Sequence, residues 1–298
     1  MKIRFIQNML DKIKGKKELF PKQKISFLVF WVGTKCTLKC KLCCNLIPYS
    51  EQISYNADEI LKDLKIVVRN SKIKALQIQG GEPFTHPEII KILDFVSKLK
   101  VKRIDLATNG TVKLSDDVLK ALKRNPKIRV RISNYDCTKK LRENFCKTLD
   151  ENKIPYDLYD FYLHDNSWFS TGGINEQRAS DEKVKEIYQQ CKDKSCQTLA
   201  DGILTICGKV PVIKEIYQDY SSKKNDEINV RKIRKSLNPL KNMILRKKIS
   251  KFYSNKKIYK EQCRYCNISN DKHPAAEQIS AEELKISKRQ IEYAKKNK

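Results

Sequence analysis

Short apolar runs alternate with segments of helical periodicity between residue 25 and about residue 162. The runs are rich in β-branched and aliphatic residues, and they end at glycine, asparagine or other turn residues, which predicts strands. Five strands are predicted, over 25–32, 73–79, 103–107, 128–133 and 156–162. Regular alternation of strands and helices is typical of an α/β fold in which helices connect the strands of a parallel sheet.

The helices are predicted from their caps and their apolar spacing. Asn56, with Glu59 at the capping-box position, is predicted to begin one helix, and Ser115 another. The four predicted helices lie over 57–69, from about 87, from about 116, and over 138–152. The polar residues that follow the strands therefore gather at the carboxyl ends of a parallel sheet, the edge where such sheets bind ligands.

Length and composition limit the cellular compartment of the protein and the chemistry of its cysteines. No apolar stretch of 18 or more residues occurs in the 298-residue chain, which argues against a membrane-spanning helix. Residues 1–24 carry charges where a secretory signal needs a continuous apolar segment, so we expect a cytoplasmic protein. In a reducing compartment, its eleven cysteines are expected to bind metal rather than to form disulfides.

The formal net charge of +27 raises nucleic acid as a partner. Lysine dominates this charge and is spread along the chain, as a general bias in residue usage would also produce. The densest basic stretch, residues 223–260, contains interleaved apolar residues that predict helices with an apolar stripe and a solvated basic face. Nucleic acid is therefore not the expected partner, and an RNA-binding or RNA-modifying metalloprotein is kept as an alternative.

Three cysteines follow the first predicted strand in the spacing CxxxCxxC, and a glycine turn follows the second strand. Thiolates suit iron–sulfur clusters and zinc. A four-iron cluster held by three thiolates leaves one iron open for another ligand. A zinc site that adds Cys44 as a fourth thiolate is the alternative. The residues in question are Cys36, Cys40 and Cys43, then Gly80, Gly81, Glu82 and Pro83.

This pair of motifs resembles the radical S-adenosylmethionine (SAM) superfamily over most of residues 25–162. The resemblance implies a partial (β/α)6 TIM-like barrel in which Cys36, Cys40 and Cys43 each bind one iron of a [4Fe-4S] cluster and SAM chelates the fourth. It implies reductive cleavage of SAM to a 5′-deoxyadenosyl radical that removes a hydrogen atom from a small-molecule substrate. It also implies an electron donor such as flavodoxin or ferredoxin.

The same resemblance assigns further residues to SAM. Gly80 and Gly81 would let the backbone approach the methionine part, because they lack side chains. Glu82 would position that end of SAM or would act only as a carboxylate at a helix start. The other assignments are ribose contacts at Thr108 and Asn109, weaker ones at Ser133 and Asn134, with turn roles as the alternative for each pair, and adenine packing at Leu42.

A second group of cysteines lies late in the chain, around a turn at Gly202 and ending in a CxxC pair. It resembles the Twitch extension of radical SAM enzymes, a shortened SPASM domain, and implies a second [4Fe-4S] cluster for electron transfer. A zinc site is the alternative. Five cysteines compete for four positions, and either of the first two could be the fourth ligand: Cys191, Cys196, Cys207, Cys263 and Cys266.

The predicted organisation has four parts. They are a basic N-terminal segment over 1–24, a radical SAM core domain over 25–180, a Twitch-like domain over 181–270, and a charged C-terminal helix over 271–298. Aromatic and polar residues near the end of the barrel are candidates for substrate binding, with packing in the core or between domains favoured for each Tyr and Trp. They are Tyr156, Tyr159, Tyr162, His164, Asp165, Trp168 and the turn at Gly172 and Gly173.

The substrate is expected to be a carbohydrate or a related alcohol. Two reactions are considered, oxidation with the second cluster accepting an electron, and epimerisation with Cys137 as the hydrogen-atom donor. Peptide modification is a third possibility, less favoured because no compact leader-binding domain precedes residue 25.

Overall fold

The structure, a computed structural model, describes residues 21–160, 167–169, 179–191, 193, 196–217, 220, 227–234, 239–254, 261–266, 268 and 271–296. The strands are β1 (Gln23–Trp31), β2 (Ser71–Gln79), β3 (Arg103–Thr108), β4 (Ile128–Ser133), β5 (Tyr156–Tyr159), β6 (Ser167–Phe169), β7 (Gln197–Ala200), β8 (Ile203–Thr205), β9 (Glu227–Asn229) and β10 (Lys272–Pro274). The helices are α1 (Ala57–Asn70), α2 (Ile89–Val96), α3 (Asp116–Arg124), α4 (Lys139–Glu151), α5 (Asp181–Gln190), α6 (Val210–Ile216), α7 (Val230–Arg234), α8 (Pro239–Ser254) and α9 (Ala281–Lys296). Strands and helices alternate as far as β5, which confirms the predicted α/β class.

Eight strands form one sheet in the order β5-β4-β3-β2-β1-β7-β8-β9. Each of β1 to β4 pairs in parallel with the next strand in the chain, and β7 lies parallel to β1 on its other side. Strand β8 pairs antiparallel with β7 on one side and with β9 on the other. Strands β6 and β10 form a separate two-stranded antiparallel sheet. The large, mostly parallel sheet is the one expected of a TIM-like fold, while the Twitch-like domain stays a prediction.

Helices α1 to α4 pack on one face of the sheet through their apolar residues. Asn56 accepts a hydrogen bond from the Glu59 amide at 3.1 Å, and Ser115 accepts one from the Val118 amide at 3.4 Å, so both predicted caps are confirmed. The four helices direct their periodic apolar side chains into one cluster that contains Ile60, Leu64, Ile92, Leu93, Leu122 and Leu149, all nearly fully buried.

The other face of β2 to β4 is polar towards the carboxyl edge, whereas Val29 and Trp31 of β1 pack into a second apolar cluster. In β4, buried Val130 and Ile132 alternate with half-buried Arg129, Arg131 and Ser133. A parallel strand covered on both faces normally consists of continuous apolar residues. The alternation therefore marks a face that lines a cavity rather than a second apolar core.

The basic stretch over 223–260 contains α7 and α8, with Leu245 and Ile249 fully buried as the apolar stripe predicted. Arg231, however, is not part of a solvated face. Its Nε atom lies 2.9 Å from Oδ2 of Asp63, a carboxylate that is 1% exposed. A buried carboxylate needs a cation nearby, and this arginine ties α7 to α1.

None of the described helices has both the length and the apolar character needed to cross a bilayer.

Candidate active site

The segment that leads into the cysteine motif is fastened to the glycine turn. The amide of Gly81 donates to the carbonyl of Gly33 at 3.0 Å, and the amide of Glu82 donates to the carbonyl of Lys35 at 2.8 Å. A Cβ atom on Gly81 would lie only 2.2 Å from the Lys35 carbonyl oxygen. The turn must therefore be glycine for the two backbones to meet, and this contact fixes the start of the loop at Cys36.

One pocket lies at the carboxyl ends of the first strands, and the three cysteines of the CxxxCxxC motif share it. The glycine turn forms part of the same wall. The residues predicted to meet the cluster, SAM or substrate that line this pocket are Cys36, Cys40, Cys43, Leu42, Gly80, Gly81, Thr108, Asn109, Ser133, Tyr159 and Trp168.

Cys40 is buried and Cys36 and Cys43 are half-buried, in a site that favours the neutral form of all three thiols. Burial raises the pKa of Cys36 to about 12, and burial also raises the pKa values of Cys40 and Cys43. Bound iron would supply the positive charge that stabilises the thiolates, with release of their protons. Three thiols around one cavity fit a four-iron cluster, in which each thiolate binds a separate iron.

A single metal ion needs a tighter arrangement. Among the described residues, no three cysteine, histidine or acidic side chains converge closely enough to hold one metal ion. The three thiols instead surround the space beside Gly80 and Gly81.

Glu82 lies behind the pocket rather than on its wall. Its carboxylate accepts hydrogen bonds from the Thr108 hydroxyl at 2.9 Å, the Asn109 amide at 2.8 Å and the Phe84 amide at 3.1 Å. Burial raises its pKa to about 7, although these hydrogen bonds act in the opposite direction. Glu82 therefore joins the end of β2 to the end of β3, and any effect on SAM passes through Thr108 and Asn109.

Asn109 connects the end of β3 to the cysteine loop. Its side-chain amide donates to the Thr37 hydroxyl at 2.9 Å and approaches the Cys36 sulfur at 3.9 Å. Its side-chain oxygen accepts from the amide and the hydroxyl of Thr111 at 3.1 and 2.7 Å. The Thr108 hydroxyl is bonded to Glu82, so both side chains of this predicted ribose pair are engaged within the protein.

Besides Glu82, three residues predicted to meet SAM or substrate lie away from the pocket wall, namely Cys137, Asn134 and Tyr156. The exposed Cys137 donates its thiol to the Ala276 carbonyl at 3.4 Å, and the side-chain amide of Asn134 donates to Asp160 at 2.6 Å. Tyr156 directs its hydroxyl to Asp150 on α4. The remaining predicted substrate residues, Tyr162, His164, Asp165, Gly172 and Gly173, lie outside the described residues.

The late cysteines come together although the chain separates them. The Cys207 thiol interacts electrostatically with Cys263 and Cys266, and Cys191 interacts with Cys266. Cys196 interacts with Cys191 and Asp193. The pair at the end of the group lies on a short 3-10 helix over Glu261–Tyr265 and the residue after it. A hairpin, a helix end and this short helix thus present their thiols to one another.

Lys209 and Cys44 lie between the two cysteine groups, which the sequence did not predict. The Lys209 side chain is buried, and its Nζ atom lies 3.3 Å from the Cys266 sulfur. It also interacts electrostatically with Cys43 and Cys44, and Cys44 interacts with Cys43 and with Cys196. One buried cation therefore faces thiols of both groups.

A C-terminal segment covers the cysteine loop. The Lys41 amide donates to the Glu277 carbonyl at 2.7 Å, and the Ile279 amide donates to the Lys39 carbonyl at 2.8 Å. Between them, the side-chain amide of Gln278 approaches the Cys40 sulfur at 3.7 Å. We call residues 277–279 the C-terminal strap. No local signal in the sequence links it to the cysteine motif, because more than 200 residues separate the two.

The pocket geometry is accompanied by similarity to a known family. Residues 32–153 match the Radical SAM superfamily, a range that includes the cysteine motif, the glycine turn and strands β2 to β4. These residues form a radical SAM domain. Enzymes with this domain use a [4Fe-4S] cluster and SAM, and solved structures similar to this chain contain bound AdoMet.

The relatives differ in their reactions. AlbA, the antilisterial bacteriocin subtilosin biosynthesis protein of Bacillus subtilis, is 34% identical over 118 residues, which are 39% of this chain and 25% of AlbA. A probable GTP 3′,8-cyclase of Methanocaldococcus jannaschii is 24% identical over 149 residues, 45% of this chain and 48% of the cyclase. The chain thus spans a quarter to about half of these two relatives. The solved structure of BtrN with AdoMet and 2-DOIA aligns over 87% of this chain and 100% of BtrN, with 13% identity and a TM-score of 0.49.

Proposed function

We propose that the protein is a radical SAM enzyme that removes a hydrogen atom from a carbohydrate or related alcohol and oxidises it, with a second cluster accepting an electron. The observation that carries this proposal is the meeting of the two cysteine groups. Cys43 of the first group and Cys196 of the second pack against the same apolar cluster, and Lys209 lies 3.3 Å from the Cys266 sulfur. A site that starts a radical at one group and removes an electron at the other needs the two to be close.

Each part of the pocket wall has a proposed role. Cys36, Cys40 and Cys43 would hold the first cluster, and Gly80 and Gly81 leave room for the methionine part of SAM. When bound, the cluster and SAM supply an electron and a 5′-deoxyadenosyl radical. The residues proposed to orient the nucleoside and to exclude water are Asn109, Ser133, Leu42, Tyr159 and Trp168.

The second cluster is proposed to use Cys207, Cys263 and Cys266, with Cys191 as the fourth ligand. Cys191 interacts electrostatically with Cys266, whereas Cys196 interacts with Cys191, Asp193 and Cys44. Four thiolates would fill every iron position, which suits electron transfer rather than substrate binding. Residues 181–270 would then act as the auxiliary part of the enzyme, with flavodoxin or ferredoxin as the donor of the first electron.

Iron content and SAM cleavage test the two cluster assignments. Anaerobic reconstitution should give about eight iron atoms per chain from two four-iron clusters. Replacing Cys36, Cys40 and Cys43 together by Ala should halve the iron and abolish 5′-deoxyadenosine formation, while Cys146→Ala, a half-buried cysteine outside both groups, should change neither. Continued 5′-deoxyadenosine formation in the triple variant would contradict the proposal.

The fate of the substrate hydrogen tests the reaction. Deuterated sugar-nucleotide and alcohol candidates are incubated with SAM and reductant, and deuterium is then sought in 5′-deoxyadenosine. Oxidation should yield a carbonyl product with net loss of two hydrogens, whereas epimerisation should return a hydrogen atom to the same carbon. The position of Cys137 outside the pocket wall favours oxidation.

Peptide modification is the second candidate, and the similarity to AlbA favours it. The same deuterium assay decides between them when deuterated peptides are added to the substrate set. Deuterium transfer from a peptide, with none from the alcohols, would replace the carbohydrate proposal.

A further inference from the structure

A largely buried arginine lies inside the pocket, away from the cysteines. Arg131 lines the pocket together with Gln77 and Gln79 of β2 and Tyr159 of β5. It lies on the polar face of β4, two residues before Ser133, which places it about 6.6 Å deeper along the strand. Burying a cation costs free energy, so its presence in the wall calls for a compensating partner.

The Arg131 guanidinium is held in position, but only one of its N–H groups has a hydrogen-bond acceptor among the described residues. Its Nη1 atom donates to the Gln77 side chain at 3.0 Å, and its central carbon lies 3.8 Å from the centre of the Tyr159 ring. The Asp105 carboxylate is 3.8 Å from Nη1, beyond hydrogen-bond distance. The other N–H groups of Arg131 donate to no group in the described part of the chain. Only 15% of its side chain is exposed, so water screens it weakly.

The local charges do not cancel. Asp105 is fully buried and already pairs with Arg129 at 2.9 Å and with Arg103 at 3.1 Å. Arg129 pairs in addition with Asp157 at 2.8 Å. Three guanidinium groups face two carboxylates, which leaves one positive charge in excess. Arg103 and Arg129 contact Asp105 more closely than Arg131 does, so Arg131, on the pocket side, is the guanidinium with the weakest contact to a carboxylate.

We propose that Arg131 binds an anionic group of the substrate, a phosphate or a carboxylate, in the floor of the pocket. A guanidinium fork forms paired hydrogen bonds with either group, and the Tyr159 ring and Gln77 keep the fork oriented. The inference rests on the proposed function and narrows it: the substrate is an anionic sugar or alcohol, such as a sugar phosphate or sugar acid, rather than a neutral one.

Binding of simple anions tests the site directly. Reconstituted, SAM-loaded protein is titrated anaerobically with inorganic phosphate and with acetate in an isothermal titration calorimeter. The variants are Arg131→Met, Arg131→Lys and the control Arg124→Met, which removes a guanidinium that pairs with Asp94 outside the pocket and outside the Asp105 cluster. Arg131→Met should weaken phosphate or acetate binding about tenfold or more. Arg131→Lys should bind at an intermediate strength, and Arg124→Met should bind like the wild type.

Each other outcome has a defined meaning. Equal anion binding by wild type and Arg131→Met, or no saturable binding by the wild type, overturns the proposal. Weaker binding of SAM itself by Arg131→Met, measured in the same instrument, assigns the cation to the SAM carboxylate and also overturns it. If the wild type binds phosphate through Arg131 but forms no 5′-deoxyadenosine, the proposed function fails and the anion site stands.

Discussion

Replacing Glu82 by Gln should remove a pH dependence of folding stability. The carboxyl is 2% exposed, and burial raises its pKa from 4.5 to about 7. A carboxyl with a higher pKa in the folded state binds its proton more tightly when folded. Its contribution to stability is therefore full below pH 4.5 and is lost as the pH rises through 7.

The magnitude follows from the two pKa values. Between pH 5 and pH 8, the free energy of unfolding should fall by about 2.5 kcal/mol through this group alone. For a chain of this size, that loss corresponds to a fall of roughly 5 to 10 °C in the midpoint of thermal unfolding. The amide introduced by Glu82→Gln cannot titrate, but it presents a donor to one of the backbone amides that now donate to Glu82, which costs about 1 to 3 kcal/mol at every pH.

Anaerobic thermal unfolding of the reconstituted protein from pH 5 to pH 8 provides the assay. Glu151→Gln, an exposed position on α4, is the matched control and should keep the wild-type pH dependence. The difference in midpoint between wild type and Glu82→Gln should shrink as the pH rises. A constant difference over this range would refute the assignment of a raised pKa to Glu82.

Three further substitutions test separate contacts. Gly81→Ala should displace the start of the cysteine loop, because the alanine Cβ would lie 2.2 Å from a backbone oxygen. The amount of iron retained per chain should therefore fall, and full retention would contradict this. Gln278→Leu removes an N–H group 3.7 Å from the Cys40 sulfur, so the reduction potential of the first cluster should drop. An EPR-monitored redox titration measures this potential, and an unchanged value would argue against that hydrogen bond. Lys209→Met removes the buried cation beside Cys266, so the second cluster should become harder to reduce. Lys209→Arg keeps the positive charge, so the second cluster should keep most of its reduction potential. Equal potentials in the two variants would exclude an electrostatic role for Lys209.

Local signals in the sequence were sufficient for the first half of the fold. The caps at Asn56 and Ser115 and the apolar runs of β1 to β4 depend on neighbours in the chain, so pattern alone located them. The cysteine motif and the glycine turn lie at successive strand ends for the same reason. The direction of the Glu82 carboxylate depends on where the next strand ends, which periodicity does not encode.

Other features had a signal that was overlooked or had none. The alternation of Arg129 and Arg131 with apolar residues in β4 is visible in the sequence and marks a polar face, which a helix-covered parallel strand would lack. The contact of Gln278 with Cys40 leaves no comparable trace, because nothing in either segment specifies a partner so distant in the chain. Lys209 is one lysine among many, and only its burial distinguishes it.

The C-terminal strap sets an order of events during synthesis. The Lys39 amide donates a hydrogen bond to the side-chain oxygen of Gln278, a residue 239 positions later in the sequence. At about 5 to 20 residues per second, a ribosome needs roughly 10 to 50 seconds to make the intervening chain. Throughout that interval, Cys40 exists without the cover that buries it in the finished protein. The cluster site thus closes only after the strap has been synthesised, although its cysteines are made more than 200 residues earlier.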